Sequence, residues 1–186
     1  MATSNSKLVS AAKPLAAGAI SAGPTSAKVP TTADEELPGE LVKLGYVNDE
    51  GLTNAIEMES DSIKAWGGDT ILTTKTGRTE TFEFTLVQSL DPDVLKEVYG
   101  QDNVTGTLDA GITVKHNGKD MPHRMFVFDM LMTGNAMKRI VVADAQVTEV
   151  AEVKHADGEP VGYTVTLTCY PNQAGDTVIE YIKAPA

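Results

Sequence analysis

Three acidic residues, Glu57, Glu59 and Asp61, alternate with other residues along one short stretch of the chain. In a β-strand, such period-two spacing places all three carboxylates on the same face. Paired carboxylates can hydrolyse glycosidic bonds, one acting as the acid and the other as the base or nucleophile. Neighbouring acids on a strand are more commonly a solvated face, and no base–nucleophile constellation accompanies this row. We therefore expect a protein that is not an enzyme, and we keep a hydrolase built on this row as a third alternative.

The other side chains that could take part in catalysis or metal binding are scattered along the sequence. His116 and His123 flank a short basic loop, and His155 lies beside the sequence Asp157-Gly158. None of the three has a second ligand at metal-binding spacing. Cys169, the one cysteine, falls on the apolar face of a predicted strand, where an inert core thiol is expected. With no Gly-rich phosphate loop, calcium loop or nucleophile elbow in the sequence, we predict no catalytic, metal or cofactor site.

The composition narrows the class of protein further. The 186 residues include 15 Lys+Arg and 26 Asp+Glu, which gives a formal net charge of −11. This balance argues against a protein that grips nucleic acid, because clustered cations carry phosphate binding. Hydrophobic residues make up 41% of the chain, enough to build a core. No run of about 18 apolar residues occurs, so we expect no membrane span.

The body of the chain is predicted to consist mostly of strands. Alternating or β-branched patterns cover residues 41–47, 52–61, 70–76, 79–88, 111–115, 124–132, 137–143, 147–154, 161–170 and 177–182. Turns are expected at residues 48–51 and 77–78, and hairpins at Asn117-Gly118 and Asp157-Gly158. The segment 124–132, RMFVFDMLM, is apolar on both faces, which predicts a central strand with both faces covered.

One helix is predicted over residues 91–99. Asp91 is suited to the N-cap, Pro92 to the first helical position and Gly100 to the end. Apolar residues at helical spacing form a stripe that must dock on a sheet; they are Leu90, Val94, Leu95 and Val98. The predicted fold class is therefore mainly β, an antiparallel β-sandwich or barrel with one flanking α-helix and an extended N-terminal arm.

Residues 1–40 are expected to form that arm or linker, and residues 41–186 the β domain. Residues 1–32 are rich in Ala, Ser, Thr, Gly and Pro, and their only charges are Lys7, Lys13 and Lys28. Such a segment buries too little apolar surface to offset its ordering entropy when isolated. It is interpreted either as a linker or as an arm that becomes ordered against a neighbouring subunit.

Trp66, the single tryptophan, lies in a Gly-rich connection rather than in an alternating strand. Two interpretations are open. The side chain could fold back on its own core, or it could anchor in a partner's pocket, since tryptophan is enriched at interface hot spots.

Three stretches resemble the major tail (tail tube) proteins of long-tailed, non-contractile bacteriophages. Residues 44–74, LGYVNDEGLTNAIEMESDSIKAWGGDTILTT, resemble the opening of those proteins, and SDSIKAWGGDT at 60–70 is the most specific part. TFEFTLVQSLDPDVLKEVYG, at 81–100, is similar to their strand-then-helix segment, and MKRIVVADAQVTEV, at 137–150, to a later strand. The resemblance covers residues 41–183, most of the body.

This resemblance implies a structural virion protein that forms hexameric rings stacked into the tail tube, the conduit for genome delivery into the host. The implied partners are further copies of the chain, a tape-measure protein, a tail terminator and tail-initiation or baseplate proteins. Double-stranded DNA would pass without specific binding. The implied location is the virion tail, after assembly in the host cytoplasm, and no catalysis or cofactor is implied.

An acidic tube lumen would repel DNA phosphates. On this basis we expect the lumen to be lined by Glu57, Glu59, Asp61 and Asp69, while Ile56 and Met58 face the subunit core. Contacts between subunits are expected from the arm and from the loop 63–69, including Ile63, Trp66, Gly67 and Gly68.

Two further alternatives remain open. The first is a related tube, either the inner tube of a contractile tail or a phage-derived injection device, which shares the ring principle. The second is a secreted β-sandwich binding module, which would be a monomer with an exposed aromatic platform. The aromatic share of only 5% argues against that second alternative.

Overall fold

The structure is a computed structural model that describes residues 4–15 and 18–185. The described strands are β1 (Ala12–Pro14), β2 (Ile20–Pro24), β3 (Val42–Lys43), β4 (Val47–Lys64), β5 (Thr70–Leu86), β6 (Val104–Thr107), β7 (Gly111–Val114), β8 (Arg124–Met132), β9 (Met137–Val150), β10 (Tyr163–Cys169) and β11 (Ile179–Lys183). The helix α1 spans Pro92–Tyr99, and short 3-10 turns cover Ser6–Leu8 and Gln101–Asn103. The prediction of a mainly β fold with one α-helix is confirmed.

Nine of the strands form one antiparallel sheet. Its main path runs β3-β2-β8-β9-β10-β5-β4, with β1 paired to β8 and β11 paired to β9. Strands β6 and β7 form a separate hairpin. Residues 125–129 of β8 are all buried, which confirms the predicted central strand with both faces covered. The sheet therefore has two covered faces around β8 and a freer end at β4.

The helix α1 forms where its local signals predicted it. The Asp91 carboxylate accepts a hydrogen bond from the Asp93 N–H at 2.9 Å, Pro92 opens the helix, and Gly100 ends it with φ 100°. Three residues of the predicted stripe, Val94, Leu95 and Val98, are buried against the sheet. The helix and the β6–β7 hairpin thus cover one face of the sheet.

The core beneath the helix is built around stacked phenylalanines. The Phe82 and Phe128 ring centroids lie 5.0 Å apart, and Phe84 meets Phe128 edge-on at 5.7 Å. A second apolar cluster lies on the opposite face, where Met125, Val127 and Val141 of the sheet pack against Ala27 and Leu41. The polypeptide between β2 and β3 therefore acts as a covering layer for that face.

The expected separation between an arm at 1–40 and a body from 41 is corrected by these contacts. Strand β2 lies between β8 and β3, and Ile20 and Ala22 are fully buried. Small residues allow this close packing, because a Cβ placed on Gly23 would lie 2.8 Å from the Glu40 carbonyl oxygen. A segment whose composition resembles a linker is thus a strand of the sheet, since its small side chains fit between two covering layers.

Several predicted turns are absorbed into longer strands. Strand β5 passes through Gly77 and Arg78 without turning, and a register shift in its pairing takes up the irregularity. Residues 48–51 form a bulge inside β4, where Gly51 has φ 78°. The predicted strands 137–143 and 147–154 are largely one strand, β9. These corrections share a cause, because a bulge accommodates Gly and turn-forming residues without ending the pairing.

The two predicted hairpins differ in outcome. The Asn117-Gly118 prediction is wrong, because residues 115–123 form an irregular connection between β7 and β8. Asp157-Gly158 lies in the connection 151–162 between β9 and β10, which pair antiparallel as expected. The β9–β10 hairpin was therefore predicted correctly, but its loop, residues 151–162, is longer than the predicted two-residue turn.

Candidate functional site

Strands β4 and β5 continue together beyond the rest of the sheet. Their pairing extends from Leu52–Phe84 to Lys64–Thr70, whereas β10 pairs with β5 only from Thr81 onward. Residues 56–79 therefore form a projecting two-stranded ribbon, here called the long hairpin, and nearly all of them are exposed. Twelve residues separate Leu52 from Lys64, which corresponds to about 40 Å at the usual rise per residue.

One face of the long hairpin is acidic. Glu57, Glu59 and Asp61 alternate along β4 and are all exposed, so the expected grouping of these three carboxylates on one face is present. Asp69 does not belong to this row, because it lies in the turn at the tip. The structure thus brings together three of the four acids that the sequence selected, and their position relative to a lumen stays a prediction.

The acidic face continues into the body as a threonine-rich face of the sheet. The Thr85 and Thr164 hydroxyls lie 2.8 Å apart, and those of Thr148 and Thr168 lie 2.9 Å apart. These cross-strand contacts join β5, β10 and β9 on the side away from the phenylalanine core. A polar surface therefore runs from the sheet to the acidic row, and hydroxyls rather than cations dominate its inner part.

The opposite face of the long hairpin carries exposed apolar residues. Ile56 and Met58 share the side of Phe82 and Phe84, yet they are 47% and 71% exposed. The expectation that they face the subunit core is wrong, because they lie where the hairpin leaves the body, opposite Glu80 and Arg78 and not opposite apolar core residues. Their exposure indicates a surface for association.

The tip of the long hairpin is a three-residue turn that presents Trp66. The Ala65 N–H donates to the Asp69 carbonyl at 2.7 Å, and the Gly68 N–H donates to the Ala65 carbonyl at 2.9 Å. Gly68 has φ 93°, the left-handed conformation that such turns need at this position. The Trp66 side chain is fully exposed, at 105%, so of the two interpretations, folding back on its own core is wrong.

A buried carboxylate fixes the root of the long hairpin. Glu80 accepts hydrogen bonds from Arg78 at 2.8 Å, from the Asn54 amide at 3.4 Å and from the Thr177 hydroxyl. Arg78 also donates to the Thr177 hydroxyl at 2.8 Å. These bonds tie both strands to the segment that precedes β11. Sequence reasoning missed this group, because it had placed Arg78 in a turn.

An open groove of about 470 Å³ lies at the root, on the other end of the long hairpin from Trp66. Its apolar lining includes Ile20, Val47, Leu52, Phe128 and Met130, and its charged rim consists of Lys13, Asp49 and Glu50. Asn48 is also among the lining residues: its amide nitrogen donates to Glu50 Oε2 at 3.1 Å, while its side-chain oxygen is buried and accepts no hydrogen bond within the described residues. No sequence pattern predicted the groove, because its walls come from four separate strands and the connection after β1.

The structure does not bring together the histidines and the cysteine that were considered as candidate catalytic or metal-binding residues. His123 Nδ1 lies 2.6 Å from Asp144 Oδ1, and the His116 ring packs on Tyr99 with centroids 4.5 Å apart. Cys169 is buried, and burial raises the pKa of its thiol to about 12. Within residues 4–15 and 18–185, no group of three or more His, Cys, Asp or Glu side chains could hold a metal ion. The same part of the chain contains no helix long and apolar enough to cross a bilayer.

The fold and its surfaces define a structural β protein with an exposed hairpin suited to association. The family profile of phage tail tube proteins matches residues 1–185, nearly the whole sequence. The chain belongs to the phage tail tube protein family, and it is a structural component of the virion tail. The resemblance seen in the three sequence stretches is thereby confirmed.

Comparison with solved structures gives a distant likeness. The chain is similar to the cryo-EM structure of the anti-feeding prophage cap, a tube-terminating cap, with 11% identity and a TM-score of 0.41. The alignment covers 90% of this chain and 91% of that chain. No curated protein sequence matches the chain.

Proposed function

We propose that the chain forms hexameric rings that stack into the tail tube, through which the genome passes to the host. The observation that carries this proposal is the long hairpin, which has an acidic row on one face, the exposed side chains of Ile56 and Met58 on the other, and no strand paired to its outer edge among the described residues. In a ring, the apolar face with Ile56 and Met58 would be covered by a neighbouring subunit. The acidic face would then remain open to the lumen.

The backbone of the long hairpin supports the same arrangement. Strand β4 is the last strand of the sheet path, so its outer edge carries unpaired backbone groups. A long exposed strand edge such as that of β4 promotes aggregation of a monomer. In a closed ring, the backbone N–H and carbonyl groups of this edge would form hydrogen bonds with the neighbouring subunit. The proposed ring therefore joins the sheet of one subunit to the long hairpin of the next.

The electrostatics suit a conduit. Glu57, Glu59 and Asp61 would place three carboxylates per subunit along the lumen, next to the threonine-rich face. Duplex DNA carries one phosphate charge per about 1.7 Å of its axis, so repulsion keeps it from adhering over a screening length of about 8–10 Å. We place Asp69 nearer to the contact between rings, since it lies at the tip.

Two further regions would contact other subunits: the tip of the long hairpin and the residues near the N-terminus. The tip residues Ile63, Trp66, Gly67 and Gly68 are proposed to meet another subunit. Leu8 and Val9, near the N-terminus, are also strongly exposed and would add to the contact. We propose a tape-measure protein, a tail terminator and tail-initiation proteins as the other partners, with assembly in the host cytoplasm.

Cryo-electron microscopy of the full chain, purified and concentrated, tests this function. We expect stacked rings with sixfold symmetry and a central channel faced by Glu57 and Glu59. Persistent monomers at high concentration would contradict tube formation. A tube map with Glu57 and Glu59 on the outer wall would contradict the lumen assignment while leaving the tube itself intact.

A further inference from the structure

We propose that Trp66 of one subunit inserts into the groove at the root of the long hairpin of a second copy, in an adjacent ring; this proposal rests on the tube function proposed above. The two features match in chemistry. Trp66 is a fully exposed indole flanked by the exposed apolar residues Ile63 and Leu72. The groove, at about 470 Å³, falls in the size range of pockets that take small aromatic molecules.

The occupant must come from another copy. The groove wall at Leu52 and the tip beyond Lys64 are separated by about 40 Å of continuously paired ribbon. The two register shifts in this stretch do not end the pairing, so the paired ribbon does not fold back by that distance, and the buried Glu80 fixes its root. The contact is therefore between different surfaces of two identical chains, the kind that propagates in one direction.

The charges around the two features are complementary. Lys64 and Asp69 flank Trp66 at the tip, while the groove rim carries Lys13 on one side and Asp49 and Glu50 on the other. Docking can place Asp69 beside Lys13 and Lys64 beside the two acids. Such rim pairs add little affinity, but they orient the contact and penalise a reversed approach.

A hydrogen-bond acceptor is also needed within the groove. The indole N–H is a donor without acceptor capacity, and it requires a partner when it is buried. The Asn48 side-chain oxygen has no donor in the described part of the subunit. A rotation of the Asn48 amide toward the groove would supply the acceptor. One contact would thus satisfy both groups.

Tryptophan fluorescence tests the proposal in the unaltered chain, because Trp66 is its only tryptophan. We expect the emission of free subunits to be that of a solvated indole and the emission of assembled tubes to shift to the blue. Tubes seen by microscopy without a blue shift would overturn the docking of Trp66 but not the tube function. If the unaltered chain forms no rings or tubes, both proposals fail.

Cross-linking locates the partner surface. The double variant Gly67→Cys with Asp49→Cys keeps Trp66, and a Cβ at Gly67 meets nothing closer than Asp69 at 3.9 Å. In assembled tubes, a short bismaleimide should give a ladder of covalent multimers. The control Gly67→Cys with Asp157→Cys places the second thiol in an exposed loop that does not line the groove and should give no ladder. Equal ladders, or a ladder from the control alone, would overturn the groove assignment, and the fluorescence measurement decides if the variants do not assemble.

Discussion

Asp129 of β8 and Arg139 of β9 form a buried two-point ion pair. Arg139 Nε lies 2.7 Å from one Asp129 oxygen and Nη2 lies 3.2 Å from the other. The same guanidinium donates to the carbonyl oxygens of Thr32 and Glu35. The Arg139 side chain thus joins the centre of the sheet to residues 25–41, the covering segment between β2 and β3. From the composition, this segment up to residue 40 was expected to be part of an arm or linker.

Removing this guanidinium should destabilise the subunit strongly. Arg139→Met leaves the Asp129 carboxylate buried and unpaired, and the expected loss is about 3–5 kcal/mol in the free energy of unfolding. Urea denaturation of the free subunit measures it. Lys138→Met is the matched control, because its ion pair with Glu180, at 2.9 Å, is partly exposed and should cost about 1 kcal/mol or less. Equal losses in the two variants would contradict the role of the buried pair.

Acid should loosen the covering segment 25–41 before it unfolds the sheet. Hydrogen bonds from Lys28 and from the Thr31 backbone and hydroxyl lower the pKa of Glu35 from 4.5 to about 2. Since the folded-state pKa is the lower one, the stabilisation is present above pH 4.5 and is lost as the pH falls through about 2. Lys183 likewise lowers the pKa of Asp34.

Hydrogen exchange between pH 5 and pH 2 checks this prediction. Protection of segment 25–41 should decline across that interval in the unaltered chain. In Glu35→Gln, protection should be lower at pH 5 and should change less with acid. The same decline in both proteins would show that Glu35 is not the titrating group.

The Cys169 thiol should be unreactive in the folded subunit. Burial raises its pKa to about 12, so almost no thiolate exists at pH 8. Labelling with a chromogenic disulfide reagent should be slow in buffer and rapid in urea. Stoichiometric labelling of the native subunit at the rate of an exposed thiol would contradict the assignment of Cys169 to the core.

The apolar face of the long hairpin should matter for assembly and not for folding. Ile56→Asp with Met58→Asp should lower the melting temperature of the free subunit only modestly, because both side chains are already exposed and, of the two new carboxylates, one faces Glu80 across the strands and the other faces Arg78. The same variant should not form tubes, since assembly would bury two carboxylates without partners. Ile56→Leu with Met58→Leu is the control and should still assemble. Normal tubes from the aspartate variant, seen by negative-stain microscopy, would contradict this use of the face.

Reversing the charge of the acidic face should make the tube retain DNA. Glu57→Lys, Glu59→Lys and Asp61→Lys together should cause duplex DNA to co-sediment with tubes at low salt, with release at high salt. Three other exposed acids supply the control with the same change in net charge: Glu40→Lys, Glu152→Lys and Asp157→Lys. Equal retention by both triple variants would indicate a non-specific charge effect and contradict the lumen assignment.

The features that were predicted correctly from the sequence are those that depend on local patterns. The cap and stripe of α1, the two-sided apolar pattern of β8 and the common face of Glu57, Glu59 and Asp61 depend on periodicity within a few residues. The strand β2 was missed because its small side chains gain their burial only from layers that are distant in sequence. Likewise, a bulge rather than a turn at Gly77 depends on the partner strand.

The candidate site was predictable in part for the same reason. Sequence reasoning selected Trp66 but left its direction open, since the direction depends on how far β4 and β5 run together. It placed Ile56 and Met58 inside the subunit because an apolar residue in an alternating strand normally faces its own core. Under the proposed function, the hydrophobic pattern reflects burial in an assembly, and a single sequence does not reveal which kind of burial a pattern encodes.

Trp66 and the groove lie at opposite ends of the long hairpin, and this separation has a consequence for the length to which a tube can grow. Under the proposed docking, every subunit of a ring presents Trp66 at one end and a groove at the other, so the Trp66 tips of one end ring and the grooves of the opposite end ring stay uncovered in a finished stack. Growth by such units has no built-in stop, because the last subunit added presents the same surface as the first. Under the same proposal, the length of the tail would be set by a different molecule, one that covers the exposed grooves of the last ring or measures the number of rings.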